Sequence, residues 1–202
     1  SRLHRDPPQP RLLSSKLEKI METITPRISR LDRDQVTAET GAIYDRYLQQ
    51  RGNVPNMFRT VAHRSEIFQT MIAHFEAVLH TGTLPLKLKE LAIVRTSQLN
   101  QCHYCLASHS RICKKLGWSD DQLINLADYA DRTDFTHQEK VALQLAEWMT
   151  RNEGPLTDDQ WQQVRDVFSE GEVVELMAAI GLFNYFNRFN NLLDMEPTGP
   201  AA

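Results

Sequence analysis

The sequence has little cysteine, no long apolar run and no excess of basic charge. Three cysteines in 202 residues do not supply the even set on which the disulfide framework of a small secreted domain depends. The longest apolar stretches, such as Leu176–Leu182, fall well short of the roughly 20 residues that a membrane-spanning helix needs. The net charge of −3 lacks the basic excess typical of proteins that bind nucleic acid or anionic lipid. We therefore expect neither nucleic acid nor a membrane as a partner.

The two ends of the chain differ in composition from the middle. Ser1–Pro10 is rich in proline and charge, and no apolar segment of a secretory signal follows it, so we expect a cytoplasmic protein. Residues 1–28 are predicted to be an N-terminal extension, disordered over its first dozen residues and then forming a short helix before Pro26. Residues 29–195 are predicted to form one helical domain, and residues 196–202 a C-terminal tail.

The chain also lacks the alternating β-branched runs from which a sheet is built. A hydroxyl residue followed three positions later by Gln or Glu is typical of a capping box at a helix start, and it occurs at Ser119, Thr136, Thr157 and Ser169. Gly117 and Gly154 stand where helix C-terminal caps are expected. We predict an all-α fold with about eight helices.

Two of the cysteines form a C-x-x-C pair with a histidine one turn beyond. Cys102, Cys105 and His109 are related as i, i+3 and i+7, so they share one face of a helix, which Cys113 extends. Two Cα atoms at i and i+3 of a helix lie about 5 Å apart, within the range of roughly 4.4–6.8 Å that a disulfide tolerates. The pair can therefore close and open with little backbone movement.

The same segment offers groups that could ionise a thiol. Asn100-Gln101 is predicted to start the helix, which would place both cysteines in its first turns, where free N–H groups and the helix dipole favour a thiolate. His109 is the nearest base by spacing to Cys105. Glu90 lies on a mostly apolar stripe of the preceding helix, and burial beside the thiol and imidazole would make it a general acid–base.

Three segments carry a family resemblance: Leu88-Lys-Glu90-Leu-Ala, Asn100-Gln-Cys102-His-Tyr-Cys105-Leu-Ala-Ser-His109 and Leu116-Gly117. Together they resemble the carboxymuconolactone decarboxylase superfamily, and within it the C-x-x-C-x-x-x-H branch of alkylhydroperoxidase D and related peroxidases. The core of the resemblance covers about residues 84–117, with weaker likeness over most of residues 30–195.

The resemblance implies a compact domain of the alkylhydroperoxidase D type and a role for each site residue. Cys105 would be the peroxidatic thiolate that takes one oxygen from a small hydroperoxide, and Cys102 would resolve the sulfenic acid as a disulfide. His109 and Glu90 would activate Cys105 and carry protons. The branch binds no cofactor and is regenerated by an external dithiol, such as a lipoyl group on a partner protein. It also implies a homo-oligomer, a trimer or a hexamer.

At one position the chain departs from the branch. The best-known members carry a histidine immediately before the second cysteine, where this chain has Tyr104, and its own histidine is His103. The true decarboxylases of the superfamily lack the C-x-x-C, so the superfamily name does not imply that reaction for this chain.

Each site residue also has a plainer interpretation. The cysteines could be two small buried hydrophobic residues, or they could bind zinc with His109, in which case Cys113 or His103 would complete the four ligands. Glu90 could be an exposed ion-pair partner of a nearby cation, His109 a hydrogen-bonded core histidine, and Cys113 simply part of the core.

The role of one polar segment and the function of the chain as a whole each have alternatives. A polar ladder within an aromatic stretch could form a wall near the site or a subunit interface, or could fix helix packing by hydrogen bonds; its members are Asn184, Asn187, Arg188 and Asn191. The C-x-x-C could also serve a redox sensor or scaffold that changes its assembly without turnover. A third alternative is a cysteine-independent decarboxylase or lyase that uses His109 and Glu90 as acid and base.

Overall fold

The computed structural model describes residues 25–199, and these form an all-α fold, as predicted, with no strand among them. The predictions for residues 1–24 and 200–202 lie outside the described residues. No helix within residues 25–199 is both long and apolar enough to cross a membrane. The described part contains nine α-helices: α1 (Ala38–Arg51), α2 (Asn56–Val61), α3 (Ser65–His80), α4 (Leu86–Leu99), α5 (His103–Lys115), α6 (Asp120–Ile124), α7 (His137–Arg151), α8 (Asp158–Arg165) and α9 (Glu170–Leu192).

The helix ends follow the local signals in the sequence. All four predicted capping boxes are present, at the starts of α6, α7, α8 and α9. At α7, for example, the Thr136 hydroxyl accepts from the Glu139 N–H while the Glu139 carboxylate accepts from the Thr136 N–H. Each box satisfies donors that the first turn of a helix cannot pair internally, so the sequence predicts these starts correctly. Gly52, the residue after the last residue of α1, terminates that helix in the left-handed conformation, with a φ of 74°.

Helix α4 lies at the centre of the fold and packs against α5, α7 and α9. Every residue from Leu88 to Ser97 is buried, so the helix is covered on all sides. The buried run includes three charged side chains. Lys89 pairs with Glu175 of α9 at 3.0 Å, and Arg95 pairs with Glu147 of α7 at 2.8 Å. The third charged residue of the run is Glu90, whose partner lies on α5.

Two separate apolar clusters flank α5. Cys102 and Cys105 belong to a cluster formed mainly with α1, α2, α3 and α9, which is rich in aromatic rings. Cys113 belongs to a different cluster, with Leu91, Trp118 and other residues of α4 and the chain after α5. The core therefore separates the third cysteine from the C-x-x-C pair.

Candidate active site

A sharp turn between α4 and α5 places the two cysteines. Asn100 caps the end of α4, Gln101 takes a φ of 52°, and the Cys102 N–H donates to the carbonyl of Ser97 at 2.9 Å. Helix α5 therefore starts at His103, with Cys102 as its N-cap, and the prediction that it starts at Asn100-Gln101 is wrong. A residue in the left-handed conformation cannot continue a right-handed helix, so the helix begins only after Gln101.

The two thiols form a hydrogen-bonded pair in which both cysteines are buried, Cys105 with 3% of its surface exposed. Cys102 is fully buried, while Cys105 lines a cavity. The hydrogen bond from the Cys105 thiol lowers the pKa of Cys102 to about 7, and the N–H groups of Cys105 and Tyr104 in the first turn of α5 lower it further. The same pairing, together with burial, raises the pKa of Cys105. The pair thus releases its first proton near neutral pH and retains its second.

Two asparagines of α9 contact the sulfurs. The Asn190 amide nitrogen lies 3.5 Å from the Cys105 sulfur, and the nearby Asn187 amide lowers the pKa of both thiols. Asn187 is held in place because it also donates to the Ser97 hydroxyl at 3.1 Å and accepts from Asn100 at 3.0 Å. Amide N–H groups that point at a sulfur stabilise the thiolate. Part of the polar ladder therefore lies at the site.

Asn187 was a candidate from the sequence, whereas Asn190 was not. Helical spacing could have identified Asn190, since it lies three residues after Asn187 and therefore on the same face of α9. Asn190 is buried, and its side-chain oxygen has no hydrogen-bond partner among the described residues. This unpaired oxygen, next to the Cys105 sulfur, could accept a hydrogen bond from a hydroxyl group of a molecule bound there.

Glu90 and His109 form a buried pair beside the thiols. The carboxylate oxygen Oε2 of Glu90 lies 2.7 Å from Nδ1 of His109, and the imidazole ring packs edge-on against Phe183 with 4.6 Å between the ring centres. An ionised carboxylate only accepts hydrogen bonds, so it holds the proton on Nδ1 and leaves Nε2 able to take or return another. His109 lies one helical turn beyond Cys105, and both side chains line the same cavity.

The cavity that exposes Cys105 has a volume of about 1090 Å³. Its inner wall is mainly aromatic and aliphatic, with Phe58, Phe75, Phe183 and Phe186 among its residues. Pro197–Gly199 of the C-terminal segment closes one side, because the Asn56 side-chain amide donates to the Glu196 carbonyl at 3.0 Å. Cys102 does not line the cavity. A molecule that enters therefore meets Cys105 first.

Tyr104 lies immediately before Cys105, at the position where the resemblance led us to expect a histidine. Its hydroxyl accepts from the Met57 N–H at 3.2 Å and hydrogen-bonds the Thr198 hydroxyl at 3.1 Å, and burial raises its pKa. The phenol thus joins the start of α2 to the C-terminal segment. His103 is exposed and does not line the cavity.

The third cysteine lies apart from this arrangement. Burial and the nearby charge of Glu90 raise the pKa of Cys113, which is fully buried in its own apolar cluster. Within residues 25–199, no group of three or more His, Cys, Asp and Glu side chains is arranged to hold a metal ion.

The lowered pKa of Cys102 leads to a prediction about titration. We expect the ultraviolet absorbance of one thiolate to appear with a midpoint near pH 7 and to be lost below it, because the Cys105 thiol stabilises the anion. In Cys105→Ala this hydrogen bond is gone, so the midpoint is expected to rise toward the usual cysteine value of about 8.5. Cys113→Ala, which leaves the pair intact, is the control. A wild-type midpoint already near 8.5 would contradict the stabilised thiolate.

Comparison with known proteins finds a family whose sequence model matches part of the chain. Residues 65–148 match the sequence model of the carboxymuconolactone decarboxylase family. The uncharacterized protein YdfG of Bacillus subtilis (strain 168) is 28% identical over 103 residues, which are 50% of this chain and 70% of that protein.

Two solved structures show the same fold. An alkylhydroperoxidase AhpD core, an uncharacterized peroxidase-related protein from Ralstonia eutropha JMP134, matches with a TM-score of 0.75 and 24% identity, over 86% of this chain and 92% of its own. The debrominase Bmp8 in complex with 2,3,4-tribromopyrrole matches with a TM-score of 0.74 and 17% identity, over 87% of this chain and 94% of its own. At these identities the structural likeness concerns the fold alone. Residues 65–148 thus carry the sequence pattern of the carboxymuconolactone decarboxylase family, and the described helices have the fold of solved alkylhydroperoxidase D-like proteins.

Proposed function

We propose that this protein reduces organic hydroperoxides, with Cys105 as the attacking thiolate and Cys102 as the resolving thiol. One observation carries the proposal: Cys105 lines the cavity together with Glu90 and His109, while its hydrogen-bonded neighbour Cys102 is fully buried and does not line it. A nucleophile, a proton carrier and a second thiol are the groups that thiol-dependent peroxide reduction needs.

The first step places the negative charge on the accessible sulfur. The pair shares one proton along a single hydrogen bond, so transfer of that proton from Cys105 to Cys102 leaves the thiolate facing the cavity. Asn190 and Asn187 stabilise this charge by donating to the Cys105 sulfur. His109 offers a second route, since its Nε2 can take the proton of Cys105 while Glu90 stabilises the resulting imidazolium.

The chemistry then proceeds in two balanced steps. The Cys105 thiolate attacks the terminal oxygen of ROOH, the O–O bond breaks, and Cys105 becomes a sulfenic acid. The leaving alkoxide becomes ROH by taking from His109 the proton that the thiol pair released to the imidazole when it ionised. The Cys102 sulfur next attacks the Cys105 sulfur, the S–O bond breaks, and hydroxide leaves as water with a proton from the same relay. Two thiols have lost two electrons and one disulfide has formed.

An external dithiol completes the cycle by thiol–disulfide exchange. It supplies two electrons and two protons, and a lipoyl group carried by a partner protein is the reductant that we propose. This cycle requires no bound cofactor, and it fits a reducing compartment such as the cytoplasm. We also propose that the chain works as a homo-oligomer, a trimer or a hexamer, in keeping with the branch whose fold it shares.

Counting free thiols tests the proposal. One equivalent of cumene hydroperoxide is expected to remove two thiols from the wild-type protein, because Cys105 and Cys102 end as a disulfide. Cys102→Ser is expected to lose only one, since the sulfenic acid of Cys105 has no partner. Cys113→Ser should behave as the wild type does, with two thiols lost. Consumption of the peroxide with no loss of thiols in the wild type would refute the mechanism.

A second candidate rests on the 2.7 Å contact between Glu90 and His109. This pair could serve as acid and base in a lyase or decarboxylase reaction that needs no thiol. The two candidates differ in one double variant, Cys102→Ser/Cys105→Ser. Activity on a carbonyl acid that survives in this variant would favour the lyase, and complete dependence on both cysteines favours the peroxidase.

A further inference from the structure

The mouth of the cavity is strongly basic, although the chain as a whole carries a net charge of −3. Four cationic side chains line it: Arg46, Arg51, Arg111 and Lys115. Arg46 is neutralised by Glu76 at 2.6 Å. The other three make no ion pair within residues 25–199. Three uncompensated cations around one opening form a local positive field that attracts anions.

The interior of the same cavity has the opposite character. Phe58, Phe75, Phe183 and Phe186 supply an aromatic wall to the cavity that Cys105 lines. The volume of about 1090 Å³ slightly exceeds the range of roughly 300–1,000 Å³ found for sites of drug-sized ligands. Hydrogen peroxide needs neither this volume nor this apolar surface. The cavity is built for an organic molecule with a sizeable apolar body.

The helix that carries Cys105 sets the distance between the two regions. Arg111 and Lys115 follow Cys105 by six and ten residues on α5. At a rise of about 1.5 Å per residue, they lie roughly 9 and 15 Å farther along the helix axis. Arg51, at the end of α1, lines the cavity together with them. An anionic group held by these cations would therefore be separated from the sulfur by the length of an extended hydrocarbon chain.

We propose that the substrate is an amphipathic hydroperoxide with an anionic head, such as the hydroperoxide of a long-chain carboxylic acid. The hydroperoxide group meets Cys105, the hydrocarbon lies against the phenylalanine wall, and the carboxylate binds at Arg51, Arg111 and Lys115. This assignment rests on the proposed function and specifies its substrate class.

Exposed ion pairs contribute little one at a time, about 0.2–1 kcal/mol each. Three cations that line one largely apolar cavity are together expected to give about a tenfold gain in kcat/KM for a substrate with a carboxylate. Salt screens such interactions, so the gain is expected to shrink as ionic strength rises.

The decisive comparison uses a hydroperoxide of linoleic acid and the methyl ester of the same hydroperoxide, at low ionic strength and below the concentration at which either forms micelles. The two differ only in the charge of the head. The wild type is expected to prefer the acid about tenfold in kcat/KM. In the triple variant Arg51→Gln/Arg111→Gln/Lys115→Gln the acid-to-ester ratio is expected to fall to about one.

Lys114→Gln is the matched control. Lys114 is adjacent to Lys115 on α5 but pairs with Asp120 and does not line the cavity. The acid-to-ester ratio of this variant is expected to equal that of the wild type. Thermal melting of both variants checks that the fold is retained. A ratio that falls equally in the control and the triple variant would overturn the assignment to these three cations.

The outcomes separate this inference from the proposed function. Reduction of acid and ester at equal rates by the wild type overturns the anionic head but leaves the peroxidase intact. No reduction of acid, ester or cumene hydroperoxide overturns the peroxidase. Calorimetric binding of the corresponding hydroxy acid, which is the reduction product, then decides the binding site by itself: binding that weakens about tenfold in the triple variant supports the site, and no binding overturns it.

Discussion

Cys105→Ser is expected to lower kcat/KM for hydroperoxide reduction by at least about a thousandfold, because a serine hydroxyl is not ionised near neutral pH and cannot replace a thiolate nucleophile. The substitution changes one atom in a buried position, where Asn190 can still donate to the new oxygen, so the fold should be retained. The measurement is peroxide consumption with dihydrolipoamide or dithiothreitol as reductant. Cys113→Ser, at the buried cysteine outside the cavity, is expected to stay within about twofold of the wild type. Full activity in Cys105→Ser would end the proposed mechanism.

Cys102→Ser and Cys105→Ser together decide which sulfur attacks. The pKa of Cys102 is the lowered one, yet the cavity exposes Cys105, so thiolate stability and access favour different sulfurs. We assign the attack to Cys105, because one shared proton can move between hydrogen-bonded sulfurs but a fully buried atom cannot meet the substrate. A single turnover that survives in Cys102→Ser but not in Cys105→Ser supports this order. The opposite pattern would assign the attack to Cys102.

Glu90→Gln is expected to lower kcat/KM about a hundredfold, which is the lower part of the range that general acid–base groups contribute. The glutamine oxygen can still accept from Nδ1 of His109, so the imidazole keeps its orientation. The negative charge that stabilises a protonated imidazole is lost, and proton transfer to the leaving alkoxide slows. The measurement is the dependence of kcat/KM on pH. If Glu90 had a merely structural role, the pH profile of Glu90→Gln would have the same shape as that of the wild type.

Glu66→Gln is the matched control for this substitution. Glu66 is exposed in the first turn of α3 and does not line the cavity. The activity of Glu66→Gln is therefore expected to equal that of the wild type. The stability of Glu90→Gln should not fall by much, because the change removes a buried charge while keeping one hydrogen bond. Wild-type activity and an unchanged pH profile in Glu90→Gln would show that the proton passes by another route.

Much of the helical framework could be predicted from the sequence, because helix starts depend on neighbours in the chain. Ser119, Thr136, Thr157 and Ser169 each bond a residue three positions away, so four residues suffice to specify the cap. The same holds for the spacing of Cys105 and His109, since one helical turn brings them to one face.

The start of α5 was predicted three residues too early because no local signal marks Gln101. A non-glycine residue with a positive φ is uncommon, and the sequence gives no reason to expect one at this position. The cost of the turn is offset by contacts that are distant in sequence, among them the hydrogen bonds from Asn100 to Asn184 and Asn187. Such contacts cannot be read from a window of a few residues.

By itself, the sequence determined the all-α class, the helix caps, and the order in which acid, thiols and imidazole follow one another. Only the tertiary structure decided that Glu90 pairs with His109, 19 residues away, and not with a cation next to it in the sequence. It likewise decided that Asn190 contacts Cys105, 85 residues away. It also decided which sulfur is accessible. The physical reason is that periodicity and capping act over one or two turns, whereas burial, cavity shape and the partner of a buried charge depend on how separate helices pack together.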